Sequence, residues 1–299
     1  MTKNLFAALI GRPNVGKSTL MNTALGNKIS IVSNKPQTTR NRITGIMTKN
    51  DTQYVFIDTP GIHKPQNKLG SFMVRAANSA MADVDVVMWL VECGDKIGGV
   101  ESSLIKKFND DALPVILVIN KTDKSDAVEI GDTILRFSAE HEFAAVVPIS
   151  AKNGDGIDGL FAELDKFASE GDFIFPTDMF TDQPERVIAS EIIREKILQT
   201  LNEEIPHGTA VVIEDFDESS PTMIRIRAEI FCERASHKPI IIGKGGAKLK
   251  LIGTRAREDM ERFFGVKVFL DLWVKVKENW RETEAGISTF GFKKDDIDV

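Results

Sequence analysis

Cysteine is scarce in this chain: Cys93 and Cys232 lie far apart and form no C-x-x-C pair. A disulfide framework and a thiolate metal site are thereby excluded, and both residues read as small buried apolar groups in a reducing compartment. The four histidines, His63, His141, His207 and His237, are scattered, so no metal is assigned to them. No apolar run approaches the roughly 18 residues of a membrane span, and Leu5 to Ile10 is too short for the apolar part of an export signal. Neither export nor membrane insertion is therefore expected. Positive charge is also lacking overall. A net charge of −6 argues against the whole chain as a nucleic-acid binder. With 42% hydrophobic and 27% charged residues among 299, disorder and fibre are excluded, and the length suits two domains.

What is present starts with Gly11-Arg12-Pro13-Asn14-Val15-Gly16-Lys17-Ser18, a match to the phosphate-loop pattern G-x-x-x-x-G-K-[ST]. The apolar run Leu5 to Ile10 before it predicts a buried strand, and Lys17 to Leu25 after it predicts a helix. Glycines let successive N–H groups point at phosphate oxygens, and the helix start adds its positive dipole end. Lys17 would neutralise the β- and γ-phosphates. The Ser18 hydroxyl would ligate Mg²⁺, and Thr19 follows it in the nucleotide-binding set. Tyr54 to Ile57 predicts a strand ending in Asp58-Thr59-Pro60-Gly61, where Asp58 would hold Mg²⁺ through water and the Gly61 N–H would meet a γ-phosphate. Alone, that tetrapeptide is more often a plain turn.

Pro114 to Ile119 predicts another buried strand and delivers Asn120-Lys121-Thr122-Asp123. An Asp there accepts two hydrogen bonds from the N1–H and N2–H₂ edge of guanine, which adenine does not offer. Asn120 serves O6 or N7 and the Lys121 stem covers the ring. Ser150-Ala151-Lys152, after the strand Ala144 to Ile149, would contribute backbone amides to O6. Alternating strands and helices over about 168 residues predict an α/β domain with a mostly parallel sheet, its motifs at the C-terminal strand ends.

Gly171, Pro176, Asp178, Asp182 and Pro184 then interrupt the pattern. Expected boundaries are residues 1–170 for the first domain, 171–184 for a linker and 185–299 for a smaller α+β domain with a C-terminal tail. In the latter, helix, strand, strand, helix, helix, strand is the predicted order, and Trp273 and Trp280 read as core. Ile241-Ile242-Gly243-Lys244-Gly245-Gly246 on the way into a helix has the G-x-x-G form of a KH loop, which clamps about four nucleotides of single-stranded RNA. A second phosphate loop is the rival reading, but Ala247 stands where Lys-Ser would follow. From Arg234 to Arg257 there are seven Lys or Arg and no acidic residue. Lys248 and Lys250, with Gly243 to Gly246, form the candidate RNA set. Thr222 to Lys277 carries a net charge of +7, so the remainder of the chain carries −13.

The first domain resembles a small GTPase of the translation-factor-related class, with Thr39 in the place of the switch threonine that ligates Mg²⁺. P-Q-T-T-R, D-T-P-G, N-K-x-D, S-A-K, A-S-E-I-I-R-E-K and L-W-V-K-V-K together make the chain, from Leu5 to Trp280, similar to the Era family of ribosome-assembly GTPases with a type II KH domain. That resemblance implies GTP and GDP as ligands, and Lys17, Thr39 and Gly61 as the hydrolytic group. It also implies a monomer in the cytoplasm that binds the 3′ end of small-subunit ribosomal RNA and the 30S-type subunit, with GTP-gated release and some peripheral association with the inner face of the cell membrane. Asn14 matches a residue that coordinates K⁺ in related GTPases. The tail from Thr283 to Val299 matches nothing and carries no expectation. Ile62, where a water-orienting Gln would stand, predicts slow intrinsic hydrolysis open to stimulation. An RNA-binding scaffold with negligible turnover is the alternative, and an ATP-dependent kinase conflicts with N-K-x-D.

Overall fold

Buried on both faces, the apolar run near the N-terminus forms β1 (Lys3–Gly11), as a central strand in a helix-covered parallel sheet must. The structure, a computed structural model, describes residues 1–33, 35 and 37–292; Asn34, Pro36 of P-Q-T-T-R, and residues 293–299 of the tail lie outside the described residues. Packing groups the described residues into two compact units. Met1–Ser30, Thr39–Pro65 and Met73–Asp182 form one, and Ile31–Thr38, Gln66–Phe72 and the residues from Gln183 form the other.

After β1 come α1 (Lys17–Leu25), β2 (Ile43–Lys49), β3 (Thr52–Asp58), α2 (Lys68–Ser79), β4 (Val86–Glu92), α3 (Gly99–Asp110), β5 (Val115–Asn120), α4 (Ala127–Ser138), β6 (Ala145–Pro148), α5 (Ile157–Leu164) and the short β7 (Ser169–Glu170). The strands pair in the order β2-β3-β1-β4-β5-β6, with β7 on the start of β1. All neighbours run parallel except β2 against β3 and β7 against β1. Val86–Val91 and Val115–Ile119 are fully apolar and fully buried, which fits strands with helices on both sides. Trp89 fills one layer of this core, with edge-to-face contacts to Phe108 at 5.4 Å and Phe137 at 5.2 Å.

The stretch after α5 is pinned rather than loose. Gln53, itself buried, accepts the Ile174 and Phe175 N–H groups at 2.9 Å, and Ile46 N–H donates to the Phe180 carbonyl at 2.8 Å. A Pro- and Gly-rich composition therefore marks irregular backbone here, with its polar groups satisfied along the sheet edge.

The second unit contains α6 (Glu185–Thr200), β8 (Ala210–Ser220), β9 (Met223–Cys232), α7 (His237–Ile242), α8 (Ala247–Phe264), β10 (Lys267–Val276) and α9 (Glu284–Thr289). Its sheet has the order β10-β9-β8, parallel between β10 and β9 and antiparallel between β9 and β8. Ile226, Ala228 and Ile230 of β9 pack with Ile193 and Ile197 of α6 and Ile252 and Ala256 of α8 into one apolar cluster. The order of elements is the type II arrangement expected.

Three expectations need correction. Trp273 is not core: it is 59% exposed on the outer face of β10, its Nε1 donating to Asp271 Oδ2 at 3.0 Å, whereas Trp280 is buried and donates to the Gly208 carbonyl. Cys93 is only half-buried, while Cys232 is buried, and both thiols are free. The polar stretch Asp217-Glu218-Ser219-Ser220-Pro221, which by composition predicts a turn between the two strands, is mostly strand, because β8 runs to Ser220 through register shifts opposite β9.

Candidate functional site

The loop between β1 and α1 places Lys17 where its neighbours demand. Gly16 has φ 104°, and a Cβ there would lie 2.2 Å from Asn120 Nδ2, so only glycine lets the N-K-x-D segment close on the phosphate loop. Asn120 then ties the two together: its Nδ2 donates to the Val15 carbonyl at 2.7 Å, and its Oδ1 accepts the Ala151 N–H at 2.9 Å. Lys17 is buried, and its Nζ donates to the Gly11 and Arg12 carbonyls at 3.1 and 3.0 Å. Burial pushes its pKa down to about 8, against the opposing pull of Asp58. A group paired only with carbonyl oxygens, in a loop open to an anion, fits a phosphate partner.

Three side-chain oxygens meet beside the start of α1. Ser18 Oγ lies 2.6 Å from Asp58 Oδ2 and 3.0 Å from Thr39 Oγ1, and Thr39 Oγ1 lies 3.4 Å from the same carboxylate oxygen. Asp58 is wholly buried, and its Oδ1 has no hydrogen-bond partner. Burial raises its pKa, with Lys17 and the three hydroxyls opposing. A buried carboxylate with one orphan oxygen and two neighbouring hydroxyls is a hard-oxygen donor set that fits Mg²⁺. Gly61 packs against Pro13 so closely that a Cβ would fall 2.5 Å from its nitrogen. Ile62 is buried in the apolar core and its N–H donates to the Gly11 carbonyl at 3.0 Å, while His63 Nδ1 lies 2.8 Å from the Gly61 carbonyl oxygen.

At the base end, Asp123 is exposed, and its Oδ1 accepts from Ser150 Oγ at 2.8 Å, which together with nearby lysines holds its carboxyl below the ordinary range. Lys121 takes a left-handed backbone at φ 65°. Its Nζ donates to the Asn14 carbonyl at 2.8 Å and pairs with Glu92, so its stem spans the pocket from one motif to the other. Thr23 Oγ1 holds the Ala151 carbonyl at 2.7 Å. Lys152 is exposed and makes no bond to the other motifs beyond its electrostatic pull on Asp123.

Two supporting residues, Ser30 and Glu101, lie outside every motif. Ser30, in the connection between α1 and β2, donates to Asp58 Oδ2 at 2.7 Å. Glu101 is buried and clamps Arg12 at 2.5 and 2.7 Å while accepting the Gly98 N–H at 3.0 Å, so the start of α3 fixes the phosphate-loop arginine. Glu101 carried a legible signal, since a Glu three residues into a helix after Gly98 is a capping position.

In the second unit Gly243 has φ 74° and a Cβ there would lie 3.0 Å from Lys248 N, so the chain enters α8 through a turn that excludes side chains. Lys244, Lys248 and Lys250 are exposed. Beside them runs a groove of about 380 Å³ lined by Gly246, Leu249, Lys250, Arg257, Leu270 and Leu272 among others. An apolar floor with cationic edges suits bases on the floor and phosphates at the rim. Leu270 and Leu272 come from β10; Leu272 opens the L-W-V-K-V-K motif, but nothing in that motif marks either leucine as the floor of a groove.

Fold and site together define a phosphate-loop GTPase carrying a KH domain: residues 6–121 match the family described as 50S ribosome-binding GTPase, and residues 204–281 match the KH domain family. GTPase Era of Clostridioides difficile is 49% identical over 294 residues, 98% of this chain and 99% of that protein. GTPase Era of Ruminiclostridium cellulolyticum is 47% identical over 97% of this chain and 98% of the relative. The chain belongs to the Era family of GTPases. Among solved structures, Era in complex with MgGDPNP and nucleotides 1506–1542 of 16S ribosomal RNA superposes with a TM-score of 0.93 at 40% identity, covering 98% of this chain and 99% of that one. An Aquifex aeolicus Era variant bound to GDP·AlF₄⁻ gives 0.92 at 40% identity, over 97% and 99%.

Proposed function

We propose that this chain binds GTP and GDP in the loop-lined site of the first unit, hydrolyses GTP, and binds the 3′ region of small-subunit ribosomal RNA through its KH groove during assembly of that subunit. The observation that carries the reading is the meeting of Ser18, Thr39 and Asp58 oxygens beside Lys17, in a chain that also sets Asp123 on Ser150. Ser18 and Thr39 would hold Mg²⁺ directly and Asp58 through water, the ion supplying charge neutralisation between the β- and γ-phosphates. Lys17 trades the Gly11 and Arg12 carbonyls for phosphate oxygens, which favours its charged form against the lowering by burial. Backbone amides from Asn14 to Thr19 line the phosphates, and the Gly61 N–H faces the γ-phosphate. Asn120, Lys121 and Asp123, with the amides of Ser150, Ala151 and Lys152, hold guanine.

Turnover rests on electrostatics alone, because Ile62 lies in the core and orients no water. The same observation favours a second reading, an RNA-binding scaffold whose nucleotide site is regulatory and scarcely hydrolytic. Lys17→Ala separates them from an adventitious site: triphosphate binding collapses under both readings, but only the first predicts phosphate release by the parent chain that RNA or a partner accelerates. A parent chain with no turnover under any RNA would leave the scaffold. Repeating the assay in K⁺ and Na⁺ tests Asn14 as a K⁺ ligand. The resemblance further carries a monomer in the cytoplasm, binding to the 30S-type subunit and peripheral association with the cell membrane; among the described residues no helix is long and apolar enough to cross one.

A further inference from the structure

Three consecutive charged residues of α6, Arg194, Glu195 and Lys196, are each buried, at 3, 1 and 6% exposure. Successive helix positions point about 100° apart, so one packed face cannot explain all three. Lys196 is accounted for by Glu195 at 2.7 Å and Asp259 of α8 at 2.5 Å. The other two turn to the segment Ile31–Thr38, which belongs to the same compact unit as α6. Glu195 Oε1 accepts the Val32 N–H at 3.0 Å, Arg194 Nη2 donates to the Thr38 carbonyl, and Lys35 Nζ donates to the carbonyl of Leu201 just past α6. Glu191 holds the Arg194 guanidinium at 2.8 and 2.5 Å, so the fork is set before it meets the loop. Its Nη1 is buried with no hydrogen-bond partner.

A buried ion pair adds little net stability over apolar packing, so what this one delivers is geometry. The peptide joining Thr38 to Thr39 is planar, and fixing the Thr38 carbonyl fixes the direction in which Thr39 leaves it. Thr39 is the residue whose hydroxyl stands by Ser18 and Asp58. We propose that Arg194 is a positioning residue for the nucleotide switch: it holds the Thr38 carbonyl so that Thr39 presents its hydroxyl to the metal of the triphosphate state. This rests on the assignment of Ser18, Thr39 and Asp58 as the Mg²⁺ site.

The test is a double-mutant cycle on the full chain with Arg194→Ala and Thr39→Ala, reading affinity for GDP and for GDPNP with Mg²⁺, plus kcat and KM for GTP. A charge-assisted hydrogen bond to a buried group supports a loss of about tenfold on removal. Arg194→Ala should therefore weaken GDPNP about tenfold, leave GDP within about twofold, and add nothing once Thr39 is already Ala. Arg194→Lys should recover part of the loss. Equal loss of GDP and GDPNP, or an undiminished Arg194 effect in the Thr39→Ala background, would overturn the proposal while leaving the metal site standing. A Thr39→Ala variant that binds GDPNP like the parent would instead remove the metal-site assignment and the proposal with it. If Arg194→Ala does not fold, Arg194→Lys, which keeps the charge and loses the guanidinium fork, decides by the same criteria.

Discussion

Replacing Asp123 by asparagine alters one atom of the base site and leaves its support in place. The carboxylate is exposed and ionised, with Oδ1 held by Ser150 Oγ at 2.8 Å; an amide oxygen accepts that same bond, so the side chain keeps its orientation. What changes is the second oxygen, which becomes an N–H₂ donor facing the donors of guanine. One charge-assisted hydrogen bond to the guanine edge is lost, and the new donor faces N1–H and N2–H₂ without an acceptor. GDP affinity should fall by roughly 10² to 10⁴. Xanthine carries an oxygen in place of the 2-amino group and accepts from the new donor, so XDP should gain on GDP by a comparable factor. Competition of GDP and XDP against a fluorescent nucleotide, with the parent chain alongside, reads both. GDP binding within about twofold of the parent, or equal weakening of GDP and XDP, would refute the placement of Asp123 on the guanine edge.

Gly246→Asp puts a side chain and a negative charge at a left-handed position, φ 81°, with nothing within 4 Å of the added Cβ. The backbone is strained there by about 1–2 kcal/mol although the side chain meets no clash, so the variant should be less stable yet folded, while RNA affinity collapses; Lys244→Ala should weaken all RNA sequences and lower the salt slope by about one phosphate, with GTP affinity unchanged for both in filter binding and nucleotide titration. RNA binding that survives Gly246→Asp would remove this loop from the RNA interface. Glu185 shares a hydrogen bond with Glu218, which with burial raises its pKa from 4.5 to about 7. A raised folded-state value means stability that is present below pH 4.5 and lost as pH rises through about 7. Because Glu185 is mostly exposed, the effect should stay under about 1 kcal/mol. Glu185→Gln should flatten the fall in Tm between pH 5 and 8, and an unchanged slope in thermal melts would show that the pair does not share a proton in solution.

The candidate nucleotide site was legible because its chemistry needs fixed residue types at fixed spacing: Gly16, Lys17, Ser18, Asp58, Asn120 and Asp123 lie at or just beyond the C-terminal ends of β1, β3 and β5. Ser30 was not legible, since a hydroxyl in a loop acts on Asp58 only through tertiary closure. Trp273 shows a different limit. In Lys267–Val276 the even positions are all apolar while the odd ones hold Lys267, Asp271 and Lys275 with Phe269 and Trp273, so period two already turns Trp273 outward; a core Trp273 is expected only from residue size, and the alternation wins. Likewise Pro239-Ile240-Ile241-Ile242 has the look of a strand, yet it lies in helix α7, because a proline in the first turn costs no intrahelical bond. The buried run Arg194-Glu195-Lys196 defeats hydropathy altogether: its burial depends on polar partners distant in sequence.

The most direct measurement is the affinity of the full chain for GTP against ATP with Mg²⁺, taken together with phosphate release in the presence and absence of RNA carrying the 3′ region of the small-subunit ribosomal RNA. A GTP-hydrolysing, RNA-binding switch predicts preference for GTP by about 10³ or more, slow turnover on its own, and binding of that RNA through the KH loop. Equal affinity for GTP and ATP, or failure of the folded chain to bind the RNA at low salt, would contradict it.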